Sequence, residues 1–328
     1  MSSLHPWLQF DPEAIVSGLA RALREAIHNR LSRKGAVVAV SGGIDSSVCA
    51  ALSLKAFGKD NVYALLLPEK DSSSGTTSLG EQVCKHLDIP YGITDVTPTL
   101  EAIGCYKWRD DAIRSVFPEY DDGWKCKIVI ASNLLESDRF NYFKLVVESP
   151  EGVRHEKRLS LKPYLQIVAA TNFKQRIRKT LEYFHADRLN YAVIGTPNRL
   201  EYDQGFFVKN GDGSADVKPI AHLYKSQVYE LGRFLSLPES TLSADPTTDT
   251  YSLEQSQDEF YFVLPYHLMD IVLSGLNHGK TPAEVAGETG LTPEQVSRVF
   301  RDIQVKRKTT LPLHRKPILL DGVPEIEF

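Results

Sequence analysis

Cysteine is scarce in this chain, with four thiols among 328 residues. Cys49, Cys84, Cys105 and Cys126 are widely spaced and form no CxxC pair. This spacing argues against a zinc ribbon, a dithiol redox site and the disulfide framework of a secreted protein. Cys49 falls on the side of a helical pattern that is expected to be buried, so we expect it to be structural.

Long apolar runs and a strong excess of either charge are also absent. No apolar stretch reaches the roughly 18–20 residues that span a bilayer, and the first residues lack the basic-then-apolar layout of a signal peptide. Lysine and arginine number 38 against 42 acidic residues, which gives a formal net charge of −4. We therefore expect a cytoplasmic protein with no membrane partner, and the mild acidity gives no support for nucleic-acid binding through bulk charge.

Strand and helix patterns alternate along most of the chain. Short apolar runs that are typical of strands buried on both faces lie at 36–40 and 191–195, and further strand patterns lie at 61–67 and 91–96. The helical patterns around them lie at 11–31, 46–57, 79–87 and 173–189. The alternation predicts an α/β fold with a doubly wound, mostly parallel sheet and helices on both faces.

The first helix has a clear start and a regular apolar stripe. Asp11 is the predicted N-cap and Pro12 the first helical residue. The apolar residues that recur at every fourth position are Ile15, Leu19, Leu23, Ile27 and Leu31. Such a stripe predicts an amphipathic helix that buries one side.

Residues 103–164 break the alternation and are interpreted as an insertion. Two β-rich runs at 143–148 and 153–161, joined by a Ser-Pro-Glu-Gly turn, predict a β-hairpin there. The insertion could alter specificity, form an interface or only cover a surface. Residues 250–328 are predicted to form a helical C-terminal part and tail. Within them, 281–301 has the outline of a helix-turn-helix, although an ordinary helical hairpin is the commoner outcome.

A glycine-serine turn follows the strand at 36–40. Gly42 and Gly43 let the backbone approach a phosphate group, and the amides at the start of the next helix then point at it. Ser41 and Ser46 can add hydroxyl donors. Asp45 would repel a bare phosphate, so its presence in the turn makes sense if it holds Mg²⁺. The Gly-Lys-Ser/Thr ending of a Walker A loop is missing.

This turn resembles the pyrophosphate loop of the N-type ATP pyrophosphatases, which have an adenine nucleotide alpha hydrolase-like fold. The resemblance implies that ATP is a co-substrate, cleaved between its α- and β-phosphates with AMP transferred to an oxygen of the acceptor. The loop is common to the superfamily and does not identify the acceptor.

A second block of motifs identifies a narrower family. The motifs are NxxxRxR at 172–178, GTxxxxE at 195–201, GFFxKxGDGxxD at 205–216, PxxxLxK at 219–225 and PTTD at 246–249. Their order closely resembles that of NAD synthetase, and with the loop the resemblance covers roughly residues 10–100 and 165–315. It implies one synthetase-like domain over 1–328 that amidates deamido-NAD with ammonia through an acyl-adenylate, releasing AMP and pyrophosphate.

The resemblance also implies residue roles. Asp45 and Glu201 would share Mg²⁺, and Glu201 lies just past a predicted strand, at the edge where ligands bind in open α/β sheets. Lys225 would act with Asp45 in catalysis, by offsetting charge on departing pyrophosphate. ATP would contact the loop together with Thr196, Lys225 and Thr247. The residues assigned to deamido-NAD are Asn172, Arg176, Lys209, Asp216 and the basic pair Lys306-Arg307, with His314-Arg315 as an alternative pair.

Several points stay open at the level of sequence. We find no amidase pattern, so we expect free ammonia or ammonia from a separate glutaminase partner. NAD synthetases that resemble this chain are homodimers, and residues 172–189 are a candidate interface helix. One alternative is an adenylating amide synthetase for a different carboxylate, with a pocket reshaped by the insertion. A DNA-binding regulator using 281–301 would need a basic face, and a tRNA-thiolating enzyme would need reactive cysteine pairs or an RNA-binding module.

Overall fold

The computed structural model describes residues 4–72, 74–130, 142–246 and 250–323. Its seven strands are β1 Ala36–Ala39, β2 Val62–Leu66, β3 Tyr91–Ile93, β4 Lys125–Ile130, β5 Phe143–Glu148, β6 Arg154–Arg158 and β7 Ala192–Ile194. One sheet is wholly parallel, with the strand order β3-β2-β1-β7. The other is antiparallel, with the order β4-β5-β6.

Twelve α-helices surround these sheets within the described residues. They are α1 Pro12–Arg24, α2 Ile44–Phe57, α3 Ser74–His86, α4 Thr97–Ala102, α5 Cys105–Arg114, α6 Leu161–Leu189, α7 Arg199–Gln204, α8 Lys225–Phe234, α9 Glu239–Leu242, α10 Tyr266–Asn277, α11 Pro282–Thr289 and α12 Pro293–His314. In those ranges, no helix is both long enough and apolar enough to cross a lipid bilayer.

Strands β1, β2 and β7 of the parallel sheet are largely buried, whereas the edge strand β3 is partly exposed. Successive β1 residues point in opposite directions: Val38 packs in a core with α1, α2 and α8, whereas Val37 packs in a core with α4, α5 and α6. Every residue of β7 is buried. Helices on both faces of a parallel sheet confirm the predicted doubly wound α/β fold.

The start of α1 is as predicted, but its apolar stripe is only partly right. The Asp11 side chain accepts hydrogen bonds from the amides of Glu13 and Ala14, which makes it the N-cap. Leu23 and Ile27 are buried, whereas Leu31 is exposed. The helix widens into a π-helical turn over Glu25–Arg30, and this turn changes the phase of the stripe before Leu31 is reached.

The segment 103–164 contains the predicted hairpin as β5 and β6, and a third strand, β4, that the sequence pattern did not predict. Its sheet packs through Ile128 and Leu145 against Ile113 of α5, in a core that also holds Tyr251. The long helix α6 begins at Leu161, twelve residues before the predicted start at 173. The end of the predicted insertion is therefore part of α6.

The C-terminal part is helical, as predicted. Val285 of α11 and Val296 and Val299 of α12 are fully buried together with Leu273 of α10. Residues 281–301 thus form a packed helical hairpin, and α12 continues past it to His314. This packing supports the ordinary-hairpin interpretation of that segment.

Candidate active site

A cavity of about 710 Å³ opens at the carboxyl ends of β1, β2 and β7. Ligands of open α/β sheets bind at this edge, where the strand order reverses direction. Many residues that the sequence assigned to the site line this cavity together. They are Ser41, Gly42, Gly43, Asp45, Ser46, Asn172, Arg176, Thr196, Glu201, Lys209 and Lys225.

The loop between β1 and α2 is held in shape by its own side chains. The Ser41 and Ser46 hydroxyl oxygens lie 3.2 Å apart, and the Gly43 amide donates to the Ser41 hydroxyl over 3.3 Å. Gly42 has a φ of +84°, and a Cβ there would lie 2.5 Å from that of Leu79. No side chain caps α2 at Gly43. This helix N-terminus can therefore receive an anion such as a phosphate group.

Asp45 and Lys225 form an ion pair at the base of this cavity. The other Asp45 carboxylate oxygen accepts a hydrogen bond from the Asn198 amide nitrogen over 3.1 Å. Burial acts to lower the pKa of Lys225, but the charges of Asp45 and Glu201 outweigh it and raise the pKa above its usual value. Lys225 therefore stays protonated and positively charged at neutral pH.

Glu201 lies in the first turn of α7, beside the same ion pair. Its carboxylate accepts hydrogen bonds from the Asn198 backbone amide over 3.2 Å and from the Gln257 side chain over 3.1 Å. The pKa of Glu201 is raised to about 8, chiefly by burial and then by the negative charge of Asp45, while Lys225 opposes both. The two carboxylates are thus close enough to repel each other.

The donor set suits one kind of metal ion. The described ranges contain no cluster of three or more His, Cys, Asp or Glu side chains around a common point. Magnesium is commonly held by one or two carboxylates, with water and substrate phosphates completing its shell. Asp45 and Glu201 fit this pattern. A bound divalent cation would offset the repulsion between their negative charges.

The predicted deamido-NAD residues divide into two groups. Asn172, Arg176 and Lys209 line the cavity, and the Arg176 guanidinium donates to the Lys209 carbonyl over 3.3 Å. Asp216 does not line it. The Asp216 carboxylate instead accepts hydrogen bonds from the Val193 amide over 2.7 Å and the Tyr183 hydroxyl over 3.3 Å, next to β7.

The predicted basic pair Lys306-Arg307 is also absent from the cavity lining. The Lys306 ammonium contacts Asp302 at 2.7 Å, and the Arg307 guanidinium forms two hydrogen bonds with Asp203, at 2.5 and 2.7 Å. These contacts fix α12 rather than leave either cation free for a ligand. Thr247, the remaining predicted ATP residue, lies outside the described residues.

Other cavity residues were not predicted from the sequence. Arg178, in the NxxxRxR motif, donates to the Leu67 carbonyl over 2.9 Å and so contacts the loop after β2. Gln257 contacts Glu201, as described above. Lys174 lines the cavity and is almost completely buried. No sequence signal marks it, because a lysine in a helical pattern is normally solvated.

The NAD synthase family model matches residues 15–116 and 127–312. The chain belongs to the NAD synthase family. The curated NH3-dependent NAD+ synthetase of Rhizobium rhizogenes is 53% identical over 316 residues, covering 96% of this chain and 95% of that protein. These matches confirm the family that the motifs indicated.

Two solved structures resemble this NAD synthase family member in fold. The NMN synthetase of Francisella tularensis has a TM-score of 0.66 at 22% identity, covering 96% of this chain and 100% of that one. The NH3-dependent NAD synthetase of Campylobacter jejuni, in complex with nitrate, has a TM-score of 0.62 at 22% identity, covering 95% and 100%. At this identity the likeness concerns the fold alone.

Proposed function

We propose that this chain is an ammonia-dependent NAD synthetase, which converts deamido-NAD, ATP and ammonia into NAD, AMP and pyrophosphate. The observation that carries this function is the cluster formed by Asp45, Lys225 and Glu201 beside the uncapped start of α2. The near full-length relative in Rhizobium rhizogenes, an NH3-dependent NAD+ synthetase, supports the same conclusion.

In the first step, the nicotinate carboxylate of deamido-NAD attacks the α-phosphorus of ATP and the bond to the β-phosphate breaks. The loop at 41–46 supplies backbone amides and hydroxyls to the phosphates. The Lys225 ammonium is placed to offset the negative charge of the departing pyrophosphate. Mg²⁺ held by Asp45 and Glu201 would neutralise phosphate charge when bound.

In the second step, ammonia attacks the acyl carbon of the adenylate, and AMP leaves as the amide forms. Neither step requires a nucleophilic side chain. This agrees with the burial of all four cysteine thiols. Arg176 and Lys209 supply two further cations to the cavity lining, and we assign them to the dinucleotide substrate.

Further features remain proposals for this chain. We place it in the cytoplasm as a homodimer that uses free ammonia or ammonia from a separate glutaminase. None of the residues Asp216, Lys306 and Arg307 lines the cavity of one chain. Their assignment to the substrate therefore requires a partner subunit or a change in conformation of this chain. Thr247 keeps its proposed contact with the ATP phosphates.

The test is product analysis with the purified chain, ATP, Mg²⁺, deamido-NAD and ammonium. We expect NAD, AMP and pyrophosphate in equal amounts, and no reaction without ammonium. Stoichiometric ADP would contradict the mechanism. A panel of other carboxylates, including nicotinate mononucleotide, tests the substrate, because faster AMP release with one of these would make the chain an amide synthetase for a different acid.

A further inference from the structure

A buried group of charged side chains lies beside the cavity, and the mechanism above does not use it. We call Glu69, Asp71, Tyr106, Arg109 and Lys174 the Lys174 cluster. The Lys174 ammonium lies 3.0 Å from a Glu69 carboxylate oxygen and 2.6 Å from an Asp71 oxygen. The Tyr106 hydroxyl donates to Glu69 over 2.7 Å, and Arg109 forms an ion pair with Asp71.

The four charged side chains of this cluster have no net charge together, and all four are almost completely buried. The side chains of Glu69 and Lys174 are 0% and 2% exposed, and those of Asp71 and Arg109 are each 5% exposed. Burial acts to raise the pKa of Asp71, but Lys174 and Arg109 outweigh it and hold the pKa below its usual value. Buried ion pairs are often no more stabilising than apolar residues of similar volume. Stability alone is therefore a weak reason for this cluster.

The position of the cluster indicates what it does. Besides the two carboxylates, the Lys174 ammonium donates to the backbone carbonyl of Thr250 over 2.9 Å. One side chain of α6 thus joins two distant segments: the loop after β2 that carries Glu69 and Asp71, and the backbone at Thr250. Pro68 of that loop and Thr250 both line the cavity. The cluster consequently fixes a wall of the cavity rather than its centre.

The strand order shows where the loop after β2 lies relative to the phosphate-binding loop after β1. The loop at 41–46 follows β1, and Glu201 follows β7 on one side of it. The loop after β2 lies on the opposite side of β1 from β7. With the ATP phosphates at the β1 loop and the Asp45–Lys225 pair, we place the nucleoside half of ATP against the β2 loop, which lines the cavity through Leu67 and Pro68.

We propose that Lys174 is a positioning residue for ATP, which holds the loop at 68–72 and the backbone at Thr250 in the arrangement that receives the nucleoside. This inference rests on the proposed function, since it takes ATP as the ligand of the β1 loop. Arg109 belongs to the 103–164 segment and anchors Asp71 from the other side. That segment therefore supports the ATP side of the cavity.

The kinetic test compares Lys174→Met with the wild-type chain. Because the loop at 68–72 and the backbone at Thr250 lose their common anchor, we expect KM for ATP to rise about tenfold, which corresponds to about 1.4 kcal/mol. We expect kcat and KM for deamido-NAD to stay within about twofold, because Lys174 contacts neither reacting group. Lys59→Met is the control, as Lys59 is an exposed lysine that does not line the cavity. A rise in KM for deamido-NAD with an unchanged KM for ATP would overturn the proposal.

A second variant separates positioning from simple stabilisation. Lys174→Met leaves an unbalanced buried carboxylate and is expected to lower Tm. The double variant with Glu69→Gln restores the charge balance, so Tm should recover. KM for ATP should nevertheless stay raised, because the bond to the Thr250 carbonyl is still missing. Recovery of both quantities together would show a structural role only.

Direct ATP binding keeps this test independent of the overall reaction. Isothermal titration calorimetry with ATP and Mg²⁺ should give a Kd about tenfold weaker in both the single and the double variant, because the link between Lys174 and Thr250 is missing in both. Equal affinity in the wild-type chain and the double variant would overturn the positioning role, even if NAD forms. If the wild-type chain binds ATP but forms no NAD, the proposed function fails and the calorimetric comparison still decides the role of Lys174.

Discussion

At the scale of single residues, the pairing of Asp45 with Glu201 makes a testable claim about Mg²⁺. Asp45→Asn and Glu201→Gln each replace a carboxylate that can bind the cation with a neutral amide of similar size. Loss of transition-state electrostatics commonly costs about 3–4 kcal/mol, or roughly two to three decades in the rate of adenylation. The double variant should be little slower than the slower single one, because residues that act as a unit are non-additive.

Pyrophosphate release measured across magnesium concentrations checks this prediction. Glu119→Gln is a suitable control, since Glu119 is exposed and far along the chain from either carboxylate. Glu201 also accepts the Asn198 amide at the start of α7, so Tm must be recorded for each variant. Normal rates in both single variants at limiting Mg²⁺ would remove these carboxylates from the site.

Lys225 could be predicted as a site residue from the sequence, whereas Lys174 could not. Lys225 stands in a family motif, and in the structure it forms an ion pair with Asp45. Lys174 has no such signal. Its partners Glu69 and Asp71 lie more than 100 positions earlier in the sequence, and only the folded chain brings these charges together.

At the scale of elements, Asp270 of α10 holds the start of α8. Its carboxylate accepts hydrogen bonds from the backbone amides of Lys225, at 3.2 Å, and Ser226, at 2.6 Å. Burial raises the pKa of Asp270 to about 6, although these bonds and the charge of Lys225 oppose the shift. The charge of Asp270 also acts to raise the pKa of Tyr266, for which burial is the larger cause.

This raised pKa predicts how the stability of α8 depends on pH. The folded chain holds the Asp270 proton more tightly than the unfolded chain does, so this group favours folding at low pH and loses that contribution as pH rises through about 6. Asp270→Asn carries no such titration. Between pH 4 and pH 7.5 we expect the free energy of unfolding of the variant, relative to wild type, to increase by roughly 2–3 kcal/mol. Denaturant unfolding at both pH values checks this, and a pH-independent difference would contradict it.

The elements that the sequence pattern did not predict are β4 and the first part of α6. The hairpin of β5 and β6 was predicted because its turn is local, whereas β4 pairs with β5 across a much longer connection. The early start of α6 was missed because residues 161–172 include Pro163. A proline is tolerated in the first turn of a helix, where its missing amide would have no partner in any case.

At the scale of the whole molecule, the thiols report on the integrity of the fold. All four cysteines are buried, and burial raises the pKa of Cys84 to about 12 and that of Cys105 to about 11. Since the thiolate is the reactive form, we expect negligible reaction of the native chain with a disulfide reagent at pH 8, and four reacting thiols after unfolding. A rapidly reacting thiol in the native chain would contradict the packing described here.

Assembly is expected through α6, which contains residues 172–189, the proposed interface helix. Leu161, Leu165 and Phe184 of this helix are large apolar side chains that are more than half exposed in one chain. A second copy that covered them would remove apolar surface from water. Light scattering should therefore give the mass of a dimer, and Phe184→Glu should shift it towards the monomer, because a charge buried at an interface is costly.

Phe234→Glu is the control for this change. Phe234 is also exposed, but it lies on α8, so the dimer should persist in this variant. Tm of the isolated monomer should change little with Phe184→Glu, since this side chain contributes little to the core of its own chain. If Asp216, Lys306 and Arg307 act on substrate through the partner subunit, the monomeric variant should also show a raised KM for deamido-NAD. A wild-type monomer with full activity at nanomolar concentration would contradict both the dimer and that shared site.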